Sequence, residues 1–252
     1  MNSWTREETI VAFYVYCKIP FKDSSKSHPI IKEYAQILGR TPSALNMKVG
    51  NIGRLDPDLQ KKGITGLAHG AKMEEEVWKE FYNNPELLAL ESEKIIAKLQ
   101  GKSVEENIEI DTNKLPQGKE REIIIKQRIN QSFFRMTVLS AYNNKCCISG
   151  IGNMELLEAC HIVDWSNDIV NRTNPKNGLC MNPFFHKAYD KLLMAISPDL
   201  TIIISDELLQ NTNNEKFEKY LRSINGEKIT MPNKFFPEKE FLQIHYEKFK
   251  KR

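Results

Sequence analysis

Leu157-Glu158-Ala159-Cys160-His161-Ile162, Asn177-Gly178-Leu179 and His186-x-x-x-Asp190 follow one another in a short stretch of the chain, with 30 residues from His161 to Asp190. The first block reads as a strand (Leu156 to Ile162), the second as the start of another (Gly178 to Met181), the third as a helix (Pro183 to Lys191). Each block taken alone has an ordinary reading. A histidine ending an apolar strand is commonly a hydrogen-bonded core residue, Asn-Gly is a two-residue hairpin turn, and a His–Asp pair four apart on a helix is a surface hydrogen bond. The order changes their weight. A hairpin laid on a helix brings His161, Asn177, His186 and Asp190 around one cation-sized space. An imidazole nitrogen and a carboxylate oxygen from one helix face suit two bonds to one cation.

Upstream, a long helix is predicted from Lys119 to Tyr142, ended by Asn143-Asn144. Downstream, Leu193–Ile196 and Leu200–Ser205 form a hairpin turning at Ser197-Pro198-Asp199. Residues 215–252 then read as helix, turn and helix.

These motifs resemble the HNH nuclease superfamily, in the variant with Ala-x-His-Ile, Asn-Gly-Leu and His-x3-Asp. Gln131-x-x-Phe134-Arg135, Tyr142 and Cys147-Ile-Ser-Gly150 resemble its approach, so the likeness covers residues 119–205. It implies a ββα-metal fold and a phosphodiesterase using one divalent cation, Mg²⁺ first, with Mn²⁺ or Ni²⁺ as alternatives. By position, His161 matches the base that activates water, and Asn177 the loop asparagine that positions that base or touches the metal. His186 and Asp190 match the helix ligands. Two departures stand out. Cys160 lies where many such nucleases carry an Asp or His ligand, and sulfur is a poor partner for Mg²⁺, which leaves Asp164 as a reserve carboxylate. Cys147-x-x-Gly150 lacks the second thiol of a Cys-x-x-Cys pair, so no structural zinc is expected, a chance site from Cys146, Cys147 and Cys180 aside. Cys160 and His161 are not read as a nucleophile–base dyad, because neighbouring strand residues face opposite ways.

The N-terminal third reads as helical. Thr5 and Glu8 form a capping box opening a helix through Tyr16. Pro29 starts a second helix that stops at Gly39, and Thr41-Pro42 starts a third that runs to about Asn51. That layout is helix-turn-helix, with Ser43, Asn46, Lys48 and Asn51 on the exposed face of the third helix and Leu45 and Met47 as core. Trp4-Thr5-x-Glu7-Glu8 and Leu38-Gly39-Arg40-Thr41-x-Ser43-Ala44 resemble a trihelical Myb-like module. The resemblance implies a third helix in the DNA major groove, with Arg40, Lys48 and Arg54 on phosphates. A small bundle that merely packs is the plain alternative. Arg135 lies among basic residues of the Lys119–Tyr142 helix that face a duplex backbone or simply solvent. Trp4, Phe13 and Trp78 read as core aromatics.

Two more helices, broken at Asn84-Pro85, fill residues 73–99, and the polar run 100–118 reads as a linker. The net charge of +3 is too small to argue for a polyanion partner, but residues 85–118 carry −3 and each flanking segment is mildly basic. Five irregularly spaced cysteines point to a reducing compartment, and Met1 to Cys17 does not resemble a signal peptide. No apolar run is long enough for a membrane helix.

The expectation is therefore an α+β protein: a helical, helix-turn-helix-like domain (1–84), helix and linker (85–118), a ββα-metal HNH domain (119–205) and a helical extension (206–252). It is a cytoplasmic restriction or phage-defence endonuclease acting on double-stranded DNA, with homodimerisation supplying two cuts. The rival readings are a catalytically silent DNA-binding or regulatory protein of the same shape, and an RNA-cleaving nuclease.

Overall fold

The computed structural model describes residues 3–64, 70–110, 116, 118–165, 168 and 170–252. It forms two compact units divided between Ala141 and Tyr142. The first holds helices α1 (Arg6–Lys18), α2 (Pro29–Ile37), α3 (Pro42–Gly53), α4 (Pro57–Lys61), α5 (Lys72–Phe81), α6 (Pro85–Gln100), α7 (Val104–Asn107) and α8 (Lys119–Ala141).

Helix α1 is the axis of this unit. Every residue from Thr9 to Cys17 is buried, as a helix apolar on all sides must be, and α2, α3, α5, α6 and α8 all pack on it. The capping box is formed: the Glu8 amide donates to Thr5 Oγ1 (3.2 Å), and the Thr5 amide donates to Glu8 Oε2 (2.7 Å). Thr41 caps α3 through the Ala44 amide (3.2 Å), and Gly39 takes the left-handed conformation (φ +61°) that lets the chain turn between α2 and α3. Tyr16 donates to Asp56 (2.6 Å), and Tyr14 donates to Glu93.

The expected division shifts at one place. Helix α8 was read with the nuclease segment, yet it counts with the N-terminal unit, because Phe133 stacks on Tyr14 (5.5 Å between centroids) and Ile129, Phe133 and Val138 are buried there. Within the expected linker, α7 is capped by Ser103 and Glu106, and Arg121 pairs with Glu105 (2.8 Å). Residues 111–115 and 117 lie outside the described residues.

The second unit contains β1 (Glu158–His161), β2 (Gly178–Met181), α9 (Pro183–Asp190), β3 (Met194–Ile196), β4 (Ile202–Ile204), α10 (Asp206–Gln210), α11 (Glu215–Ile224) and α12 (Lys239–Lys250). β1 and β2 pair antiparallel, with Glu158 opposite Met181, Cys160 opposite Leu179 and His161 opposite Gly178. Asn182 caps α9 through the Phe185 amide (3.0 Å), so the helix starts immediately after β2 and lies against both strands. β3 and β4 form the expected hairpin, turned by Ser197 and Asp199. Asn143 and Asn144, both at positive φ, end the run of α8 as expected. The whole is α+β. Among the described residues, no helix is long and apolar enough to cross a membrane.

One expectation fails here. Asn177-Gly178 is not a two-residue hairpin turn. Pro175–Asn177 form a 3-10 turn capped by Asn174, and the connection from β1 to β2 runs from Ile162 to Asn177.

The tail is anchored by His245 on α12, which stacks on Tyr189 of α9 (3.5 Å, 6° between planes) and meets the Tyr189 carbonyl through Nε2 (3.1 Å). Burial pushes the His245 imidazole down to about 4, so it stays neutral in the fold. The unfolded chain binds a proton at His245 between about 4 and the ordinary 6.5, while the folded chain does not. Acidification through that window therefore removes stability, by about 3 kcal/mol in all. Denaturant midpoints of the C-terminal unit, followed from pH 7 to 4.5, are expected to fall more steeply in the wild type than in His245→Phe. Equal slopes would discount this histidine.

Candidate active site

The alternation of side chains along β1 puts Glu158 and Cys160 on one face of the strand and His161 on the other. On the first face, α9 brings His186 and Asp190. His186 Nδ1 lies 2.5 Å from Glu158 Oε2, and its Nε2 lies 3.5 Å from Asp190 Oδ2. A carboxylate only accepts, so Nδ1 carries a proton toward Glu158, while Nε2 faces the second carboxylate, Asp190. Cys160 completes the cluster: one donor atom each from Cys160, His186 and Asp190 all lie within 4.8 Å of one another. Two carboxylates around one imidazole gather negative charge there, which a bound cation would balance. Nearby carboxylates add to the demand. Burial, then Asp190, Glu158 and Asp164, hold the Cys160 thiol well above its ordinary range. The sulfur, nitrogen and oxygen donors fit one divalent cation, and Glu158 supplies the outer carboxylate that commonly orients a ligating histidine.

His161 lies at the end of β1, beyond this cluster. Its Nε2 is 3.0 Å from the Arg172 carbonyl. Since a carbonyl only accepts, Nε2 carries the hydrogen, and Nδ1 is the basic nitrogen. The ring meets Trp165 edge to face (5.5 Å, 79°). Arg172 is held in turn by its Nε donating to the Trp165 carbonyl (2.7 Å). Burial pushes the His161 imidazole below its ordinary value, against the opposing effect of the Arg172 carbonyl. The ring is neutral at neutral pH and able to take a proton.

Asn177 touches neither the donor cluster nor solvent. It is fully buried. Its Oδ1 accepts from the Val163 amide (2.8 Å), while Nδ2 donates to the Val163 carbonyl (3.1 Å) and weakly to that of Asn171 (3.4 Å). The Ile162 amide donates to the Asn177 carbonyl (3.0 Å). Of the two roles the resemblance gave this residue, the geometry matches positioning. The reserve carboxylate, Asp164, pairs with Lys248 (2.8 Å).

The N-terminal positions fare differently. Lys48, expected on phosphate, is buried at 5% exposure, with Nζ 2.6 Å from Glu74 Oε1, so it is no surface cation. The sequence hid this because its partner lies 26 residues away on α5. Arg40 clasps Glu8 (2.7 and 2.8 Å) and lies over Trp4, and Arg54 pairs with Glu75 (3.3 Å). Asn46 accepts from Ser24 (2.8 Å), Ser43 is exposed, and Arg135 is exposed on α8. Leu45 is core as expected, whereas Met47 is 58% exposed. Phe13 and Trp78 stack in the core.

Sequence reasoning missed Glu158 and left Cys160 out of the donor set. Strand alternation was the available signal: residues 158 and 160 must share a face.

A family model described as HNH endonuclease matches residues 146–197, a segment that includes Cys160, His161, Asn177, His186 and Asp190. The match supports the HNH superfamily for this segment and implies nuclease activity in general. A comparison with curated proteins finds no match.

Asn177→Leu leaves both backbone groups of Val163 without their buried partners. It is expected to cost about 2–4 kcal/mol in denaturant unfolding and to lower nuclease activity as the end of β1 loosens. Unchanged stability would show that the clamp does not hold this loop.

Proposed function

We propose that this chain is a metal-dependent endonuclease that hydrolyses DNA phosphodiester bonds, a cytoplasmic restriction or phage-defence enzyme acting as a homodimer. The observation that carries the reading is the pairing of a neutral, oriented histidine, His161, with a cation-demanding cluster on the neighbouring helix. His186 and Asp190 would hold the cation, and when bound it stabilises charge on the scissile phosphate and the leaving oxygen. His161 Nδ1 accepts the proton of the attacking water. The Arg172 carbonyl keeps that ring in the required tautomer, and Asn177 fixes the backbone just beyond it. DNA is preferred as substrate on the helix-turn-helix-like order of α1 to α3. There the proposed contacts are Ser43 and Asn46, with Arg40 and Arg54 exchanging carboxylate for phosphate, and Arg135 on α8. Lys48 is not among them. Two identical sites, one for each strand, make dimerisation the economical route to a double-strand cut.

In a plasmid-cleavage assay with Mg²⁺, Mn²⁺ or Ni²⁺, His161→Ala is expected to lose roughly 10²–10⁴-fold in rate. Equal cleavage by the variant would remove His161 as the base, and no cleavage by the wild type with any cation would favour a silent DNA binder. Duplex RNA as competitor identifies the substrate: preferential RNA cleavage overturns the DNA reading. Because burial depresses His161, the base is already neutral below pH 6.5. The acidic limb of the rate profile is therefore expected to have its midpoint below 6.5, with activity lost only as the pH falls through it. A midpoint above 6.5 would contradict the buried base.

A further inference from the structure

The donor cluster contains a sulfur that the chemistry proposed above does not require. Cys160 is fully buried, yet its thiol is not in purely apolar surroundings. It shares the β1 face with Glu158, and its sulfur lies within 4.8 Å of donor atoms of both His186 and Asp190. Glu158 binds Nδ1 of His186, which leaves the other ring nitrogen to the cluster. Three different donors, S, N and O, converge from one strand and one helix.

We propose that Cys160 is a third protein ligand, and that it makes this a centre for a thiophilic borderline cation such as Zn²⁺ or Co²⁺ rather than for Mg²⁺. The inference rests on the reading that His186 and Asp190 hold the catalytic cation. Mg²⁺ takes oxygen ligands and keeps much of its water, so a buried sulfur offers it nothing. Zn²⁺ and Co²⁺ accept sulfur, imidazole and carboxylate together, and three protein ligands leave a position for water or phosphate. Binding replaces the S–H bond by a metal–sulfur bond and releases the proton to solvent, with no change of oxidation state. Cys146, Cys147 and Cys180 are also buried and form no disulfide, which gives the experiment its internal control.

The test is titration of the full chain with Co²⁺ alone, read by absorption. The wild type is expected to show visible ligand-field bands and a near-ultraviolet thiolate-to-cobalt charge-transfer band. Cys160→Ser is expected to lose the charge-transfer band and at least roughly tenfold in Co²⁺ affinity. In Cys160→Asp the same band is absent, and Mg²⁺ becomes the better cation for cleavage. Circular dichroism establishes that the variants fold, and Cys160→Ala replaces Cys160→Ser if the latter does not. A charge-transfer band that survives in Cys160→Ser places the metal on another thiol and overturns the proposal. Ligand-field bands without charge transfer, lost in His186→Ala, also overturn it while leaving the cation at His186. Mg²⁺-driven cleavage with no Co²⁺ spectrum overturns the thiol ligand alone. No spectrum and no cleavage with any cation overturns the nuclease reading as well.

Discussion

The side-chain amide of Asn177 behaves as a piece of backbone. It offers an acceptor to the amide of Val163 and a donor to its carbonyl, as a neighbouring strand would. This pairing matters because β1 is only four residues long, and a ladder that short is weak by itself. With Asn177 in place, the chain leaves β1 in a fixed direction, and the loop returns so that the Arg172 carbonyl reaches His161. A second consequence follows at β2. The same residue ends the 3-10 turn from which β2 starts, so the register that sets Cys160 opposite Leu179 is fixed from the same point. A buried, fully used amide is costly to replace, since each of its partners would be left without one.

How much of this was legible in the sequence follows from the range of each interaction. Helix starts were readable because their caps are local: Thr5 with Glu8, Thr41 with the Ala44 amide, Asn182 with the Phe185 amide. β2 and the β3–β4 hairpin were readable for the same reason. Asn177-Gly178 was misread because the dipeptide signals a turn without fixing which kind, and the 3-10 geometry depends on Asn174 and on Val163 across the loop. Lys48 was misread because an exposed helix face looks identical to one covered by a later helix until Glu74 is placed. Helix α8 was grouped with the wrong unit because its apolar face is satisfied by Tyr14 more than a hundred residues earlier. At the candidate site, the residue types and the His-x3-Asp spacing were visible. Which of the two neighbours, Cys160 or His161, faces the helix was not, since alternation gives relative faces and only the packing of α9 chooses between them.

Unit 1 places several of its polar side chains inside. Lys48 with Glu74, Tyr16 with Asp56, and Glu93 shared by Tyr14 and Asn107 are side-chain pairs between separate elements. Such pairs contribute little net stability once desolvation is counted, but breaking one leaves an uncompensated buried group. Each pairing is made only when its two elements sit in the observed arrangement. The cost is that cations expected on the surface are consumed inside. The first unit carries an excess of basic over acidic residues of only two, so the DNA contacts proposed for it would have to be few and local rather than a broad basic field.

The second unit meets the same constraint from the other side. Around Cys160, the carboxylates of Glu158, Asp164 and Asp190 concentrate negative charge, and Lys248 pairs with Asp164. A phosphodiester is itself an anion, so such a site repels the substrate until its own charge is answered. On the nuclease reading proposed above, a divalent cation held there would answer that charge and would turn a repulsive surface into an attractive one for a phosphate. On that reading the cation would serve substrate approach as much as chemistry. His161 feels Asp190 and Asp164 as well, but burial outweighs them, and its ring is held by a backbone carbonyl rather than by a carboxylate. On the proposed reading, burial is what would keep a neutral base beside a cation-binding cluster on the adjacent residue.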